Sequence, residues 1–196
     1  MRAFLRTWAV GYINPSAFAR ALEGKPAPHW GLYAQLLRGA FDSLLLYLPL
    51  YLLGRQPPTP SFLTFIPTES YYGTLIWLTP IVFSAQWLIG GALMHVILRL
   101  SKRRSDIDQL LNIGGMEMLI IGAFLLVWDW VWLLAGGVDQ YFLGISHLLI
   151  DSWGIVIVVV ALKRLLGVPV WLGVLLNVAG LAVAMPFAVI IMRSPL

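Results

Sequence analysis

The stretch Arg99-Leu-Ser-Lys-Arg-Arg-Ser-Asp-Ile-Asp108 decides how this chain is read. It is the densest charge cluster in the sequence, and long apolar runs lie on both sides of it. Lysine and arginine are retained on the cytoplasmic side of short membrane loops. A basic loop between two apolar runs therefore reads as a cytoplasmic turn between two membrane helices. Once this loop is fixed, every other loop takes its side by alternation.

Composition agrees. Of 196 residues, 60% are hydrophobic and only 11% are charged, against about 25% charged in an ordinary soluble domain. The net charge of +4 resides mainly in loops and the N-terminal lead, so it reads as orientation charge. No basic stripe interleaved with aromatics is present, and no nucleic-acid partner is expected. The absence of cysteine excludes disulfides, thiolate metal sites and cysteine nucleophiles. Asn14 is followed by Pro15, which blocks an N-glycosylation sequon there. The apolar run before Ala17-Phe18-Ala19 is too short for a signal peptide.

Five apolar runs follow, over residues 30–53, 72–98, 112–134, 141–162 and 168–192. Each is long enough to cross a hydrocarbon core of roughly 30 Å as a helix. The run Ile155–Val160 is all β-branched, but a lone strand in a bilayer leaves its backbone unpaired, so a helix is expected there too. Residues 1–28 form a cytoplasmic lead, and residues 29–196 form the membrane domain. Within the lead, Asn14 caps a short amphipathic helix, Ser16–Leu22, with Pro15 at its first position. The apolar face of that helix, Phe18 and Leu22, lies on the membrane or on the bundle; a plain cytoplasmic tail is the other reading. The loop over residues 54–70 is proline-rich, and its piece Phe62–Ile66 is placed to dip into the interface. Gly90-Gly91-Ala92, the pair Gly114 and Gly122, and the stripe Gly180, Ala184, Ala188 offer close helix packing. Trp128, Trp130 and Trp132 read as interfacial anchors.

Bases sort by side. Arg2, Arg6, Arg20, Lys25, Arg99, Lys102, Arg103, Arg104, Lys163 and Arg164 fall on one side, and Arg55 and Arg193 on the other. The predicted fold is thus an all-α integral membrane bundle of five transmembrane helices, N-terminus cytoplasmic and C-terminus extracytoplasmic.

Polar residues inside spans are costly and mark candidate sites. Counting depth places Arg38, Asp42, Gln86, His147, Asp151 and Asn177 in a midplane layer. Arg38 and Asp42 share a helix face at i, i+4, as do His147 and Asp151. This group is a binding site, a proton path, or a structural cluster that locks helix register. His95 and Glu117 fall in an inner layer, where an interhelical hydrogen bond is expected. Asp129 is placed near the outer interface. His147 and Asp151, joined by Asp129 or Asp42, make a weak divalent-metal candidate that lacks the two-histidine helix pattern of zinc enzymes. Ser146 and His147 are adjacent and point about 100° apart on a helix, so they do not form a nucleophile–base pair. No P-loop or dinucleotide fingerprint is present, and no catalytic residue, cofactor or metal is assigned.

Three segments resemble the YIP-domain family, five-span membrane proteins named for interacting with Rab/Ypt GTPases. They are Asn14-Pro15-Ser16-Ala17-Phe18; Gly90-Gly91-Ala92-Leu93 through the basic loop into Leu110-Leu111; and Ala161-Leu162-Lys163-Arg164 with Gly167. The chain departs from the family at Gly114-Gly115-Met116-Glu117, where members often carry a proline. The resemblance implies a non-enzymatic scaffold or adaptor. Eukaryotic relatives act at Golgi and endoplasmic-reticulum membranes; the short loops here suit the prokaryotic branch and a cytoplasmic membrane. The expected partners are membrane lipids, further copies of the chain and a cytoplasmic protein, met through the lead and the basic loop Arg99, Lys102, Arg103 and Arg104. Two alternatives stand beside this reading: a small oligomeric transporter or channel using Arg38, Asp42 and Asp151, and an intramembrane metal-dependent enzyme.

Overall fold

A computed structural model describes residues 1–24, 29–57, 65–137 and 139–191. Side chains at 140, 185 and 187–191 are not described. Lys25, residues 58–64, the side chain of Ala188 and the stub from Met192 onward therefore lie outside the described residues.

The protein is all-helical, with no strand among the described residues. Helices α1 (Arg2–Gly11) and α2 (Pro15–Leu22) form the lead. Helix α3 (His29–Asp42) runs through a π turn, Ser43–Tyr47, into α4 (Leu48–Leu52). A 3₁₀ turn, Thr68–Ser70, opens α5 (Tyr71–Leu100), which is followed by α6 (Ile107–Leu134), α7 (Gln140–Leu166) and α8 (Val170–Ile191). Three segments are long and apolar enough to cross a membrane, Thr68–Leu100, Ile107–Leu134 and Tyr141–Leu166, and Val170–Ala184 is a shorter apolar helix. The outward faces carry Leu44, Trp77, Ile81, Leu88, Phe124, Val127, Leu149 and Val178, all exposed. A belt of that kind fits hydrocarbon and is too large for a water-facing monomer surface.

Local chemistry sets the helix ends. The Asn14 carboxamide accepts from Ala17 N at 2.9 Å, capping α2 as its sequence predicts. Asp106 accepts from Asp108 N and Gln109 N to start α6. Asp139 accepts from Tyr141 N and Phe142 N to start α7. Helix α6 begins at Ile107, a turn and a half before the predicted span. Helix α7 carries Ile155–Val160 as helix and ends at Gly167, whose φ of 66° is left-handed, with Lys163 and Arg164 in the last turn.

The lead is seated in the bundle, so the tail reading does not hold. Phe4 meets Trp30 edge-on at 5.7 Å, and Trp8 meets Phe41 at 6.3 Å. At the tip of the α1–α2 hairpin, Gly11 lies against Ile120 in mid-α6, and Trp153 donates to the Tyr12 carbonyl from mid-α7. The chain then returns, and the Leu22 carbonyl accepts from Gln109 near the basic loop. Phe18, Ala19 and Leu22 are fully buried, and they belong to one core with Leu110, Met116, Ile157 and Leu162. A second, smaller core holds Tyr47, Tyr71, Tyr72, Leu75 and Leu126.

Helices α3 and α6 touch backbone to backbone. A side chain on Gly115 would strike the Gly31 backbone, and one on Gly31 would strike the Leu111 carbonyl. Gly31 N donates to Asn112 Oδ1 at 2.9 Å at the same crossing. The expected pair Gly114 and Gly122 is thereby corrected to Gly115 and Gly122. Gly114 has only a Trp87 ring carbon near it, at 3.8 Å.

Pro80 lies inside α5. Its ring removes the N–H that would meet the Ile76 carbonyl. Ser43, in the π turn, donates its hydroxyl to that carbonyl at 2.7 Å. Gly39 gives Pro80 room to approach; a side chain there would press on the proline at 3.0 Å.

Candidate functional site

A cavity of about 470 Å³ opens between the helices, and all six predicted midplane residues line it. Helical spacing explains the convergence. Arg38, Asp42 and Leu46 recur every fourth residue along α3 and the π turn. So do Glu117, Ile121, Leu125 and Asp129 on α6, and Leu143, His147, Asp151 and Ile155 on α7. Residues four apart share a helix face. Helix α5 contributes Phe83, Gln86 and Trp87, and α8 contributes Asn177 and Gly180.

Each polar group has a defined position. The Arg38 guanidinium donates to the Asp42 carboxylate one turn on. It also lies 4.7 Å from the centre of the Phe83 ring, a cation–π contact. Gly122 leaves the space that the Arg38 side chain fills. Arg38 and Asp42 are only 8% and 3% exposed, so they form a buried pair. Gln86 donates to the Ala184 carbonyl at 3.2 Å, and Asn177 donates to the Gly173 carbonyl at 3.3 Å. His147 Nε2 lies 2.7 Å from Asp129 Oδ1.

Two carboxylates stand apart. Glu117 and Asp151 line the cavity, half-buried, and neither has a hydrogen-bond partner among the described residues. Gly154 makes room for Glu117; a methyl there would strike Oε1. Arg38 lies within electrostatic reach of Asp129, Asp151 and Glu117, and Glu117 within reach of Asp151.

Two expectations are corrected. His95 and Glu117 do not pair. His95 Nδ1 lies 2.9 Å from the Ser105 hydroxyl in the basic loop, and Glu117 turns into the cavity. Asp129, placed near the outer interface by depth counting, is 7% exposed and forms part of the cavity wall. Each step of four from Glu117 through Ile121 and Leu125 to Asp129 turns by about 40°, so spacing alone left Asp129 about 120° from Glu117 and did not place both on one wall. The basic-loop residues Arg99, Lys102, Arg103 and Arg104 are exposed and take no part in the cavity. No group of three or more metal-ligating acids or histidines is assembled among the described residues.

The arrangement leaves one permanent cation, Arg38, among four carboxyl groups, Asp42, Glu117, Asp129 and Asp151, within mostly apolar walls. Comparison of the chain with protein-family models, with curated proteins and with solved structures found no match.

Proposed function

We propose that this chain is a small membrane solute carrier. In this reading it is a five-span bundle of the YIP-domain type, N-terminus cytoplasmic and C-terminus extracytoplasmic, in a prokaryotic cytoplasmic membrane. The run from His29 to Leu52 supplies the first span and α8 the fifth. The single observation that carries the reading is that polar residues from α3, α5, α6, α7 and α8 face one cavity of about 470 Å³. That volume lies within the roughly 300–1,000 Å³ of small-molecule sites. A cluster that served only to lock helix register would close on itself through its own hydrogen bonds. Here two carboxylates are left open to the cavity.

The test uses the absence of cysteine, which makes single-cysteine labelling free of background. Ile155→Cys and Met118→Cys on the cavity wall react with a membrane-impermeant thiol reagent in sealed vesicles, from at least one side. Val127→Cys, on the outward face and 60% exposed in the bundle, does not react. Unreactive cysteines at both wall positions would show a dry, closed interior and end this reading.

A second reading, the non-enzymatic scaffold, is favoured by one observation: the basic loop is exposed, with Lys102 in the left-handed region at φ 53°. Such a loop attracts anionic headgroups or an acidic partner surface. It predicts that changes at Asp151 alter stability alone, whereas the carrier reading predicts lost transport with expression intact.

A further inference from the structure

We infer that the solute taken into the cavity is an organic cation with an apolar body, held at Glu117 and Asp151. This inference rests on the carrier reading of the cavity. Three observations narrow the chemistry. The first is size. A bare metal ion would leave most of about 470 Å³ empty, and no metal-ligating cluster is assembled among the described residues. The second is the wall. Phe83, Trp87, Leu125 and Ile155 present aromatic and aliphatic surface, which rewards an apolar body.

The third is charge. Both basic groups in the cavity are committed, Arg38 to Asp42 and His147 to Asp129. Arg38 lies within electrostatic reach of both Glu117, on α6, and Asp151, on α7, and His147 within reach of Asp151, but neither base bonds to them, and four carboxyl groups outnumber the two bases. From the other elements the cavity is also lined by Arg38 and Asp42 of α3, by Gln86 of α5 and Asn177 of α8, which are neutral, and by Tyr47 of the π turn. Two ionised carboxylates in a low-dielectric interior need a counter-charge. A cationic solute supplies it and is drawn in; an anionic one is repelled. When no solute is bound, protons occupy the same carboxylates, so solute and proton compete.

The experiment measures dye binding to the full chain in lipid nanodiscs, with lipid-only discs subtracted. Ethidium is the permanent aryl cation, phenylnaphthylamine the neutral probe, and anilinonaphthalene sulfonate the anionic probe. Ethidium binds, the anionic dye does not, and Glu117→Gln or Asp151→Asn weakens ethidium on the order of a hundredfold. In the unaltered chain, ethidium binding weakens as pH falls, by up to about tenfold per pH unit for each proton that competes. Loss of the pH dependence in the two variants assigns it to the carboxylates. The pH series needs no variant, so it stands if a substitution fails to fold. Ethidium binding that ignores both pH and the two substitutions overturns the inference. Binding of the neutral or anionic dye without ethidium overturns it too, while leaving the carrier reading in place. Binding of no dye overturns it as well, and the wall cysteines then decide the carrier reading separately.

Discussion

Trp130 Nε1 donates to the Leu45 carbonyl at 2.7 Å, tying α6 to the π turn that follows α3. In a regular helix the Leu45 carbonyl would meet the N–H of residue 49, and residue 49 is proline. The indole supplies a donor to that carbonyl at the helix break. Ser43 does the same for the carbonyl that Pro80 frees in α5. Each helix break is therefore closed by a side chain from a neighbouring element. Trp130, read from sequence as an interfacial anchor, is a structural donor as well.

Removing either donor leaves a carbonyl unpaired in an apolar setting. Trp130→Phe and Ser43→Ala each destabilise the bundle by about 1–2 kcal/mol. The expected readout is a lower midpoint for thermal unfolding in detergent. Ser152→Ala serves as the control, because Ser152 is exposed and bonds within its own helix, to the Leu149 carbonyl.

Gly122 leaves the space occupied by the Arg38 side chain, so a methyl at that position displaces the guanidinium from Asp42. Breaking a buried ion pair costs about 3–5 kcal/mol. Gly122→Ala therefore destabilises strongly, whereas Gly144→Ala, with open space beside it, is close to neutral. Equal unfolding midpoints for the two variants would contradict the packing of Arg38 against α6.

Gln35 is 1% exposed, and neither atom of its carboxamide has a partner among the described residues. Burying an amide without hydrogen bonds is costly. Replacing it with an apolar residue of similar length, Gln35→Met, is expected to raise stability by about 1–2 kcal/mol. The same unfolding assay reads the sign. A drop would mean that the amide has a function worth its cost.

The His147–Asp129 contact couples α7 to α6 beside the cavity. A double-mutant cycle on His147→Phe and Asp129→Leu should return a favourable coupling of about 0.6 kcal/mol and at most about 1.7 kcal/mol, the average and the maximum for interhelical hydrogen bonds in a membrane bundle. A coupling of zero would place the two side chains in separate environments.

Topology is tested by the same cysteine-free background. On the proposed topology, Lys102→Cys is expected to label from the cytoplasmic side, and Arg55→Cys and Ala135→Cys from the opposite side. Labelling of Lys102→Cys and Ala135→Cys from one side would break the alternation on which the five-span reading stands.

The sequence by itself determined most of the helices and their order, though not α1 (Arg2–Gly11) and not the start of α6 at Ile107. Those properties depend on neighbours a few residues apart: Asn14 before Pro15, Gly167 after Leu166, and apolar runs long enough for a bilayer. Four-residue spacing also made the polar pairs on α3 and α7 legible, because the direction of side chains one turn apart is fixed by local geometry alone. Rotation of each helix about its axis was not legible. It depends on which small residues meet across a crossing, and here Gly115 against Gly31 and Gly122 against Arg38 set it. That rotation turned Asp129 and Glu117 inward, separated His95 from Glu117, and seated the α1–α2 hairpin against Ile120 and Trp153. Depth along a helix follows from counting residues; direction across the bundle follows only from contacts between segments distant in the chain, and the tertiary structure decided those.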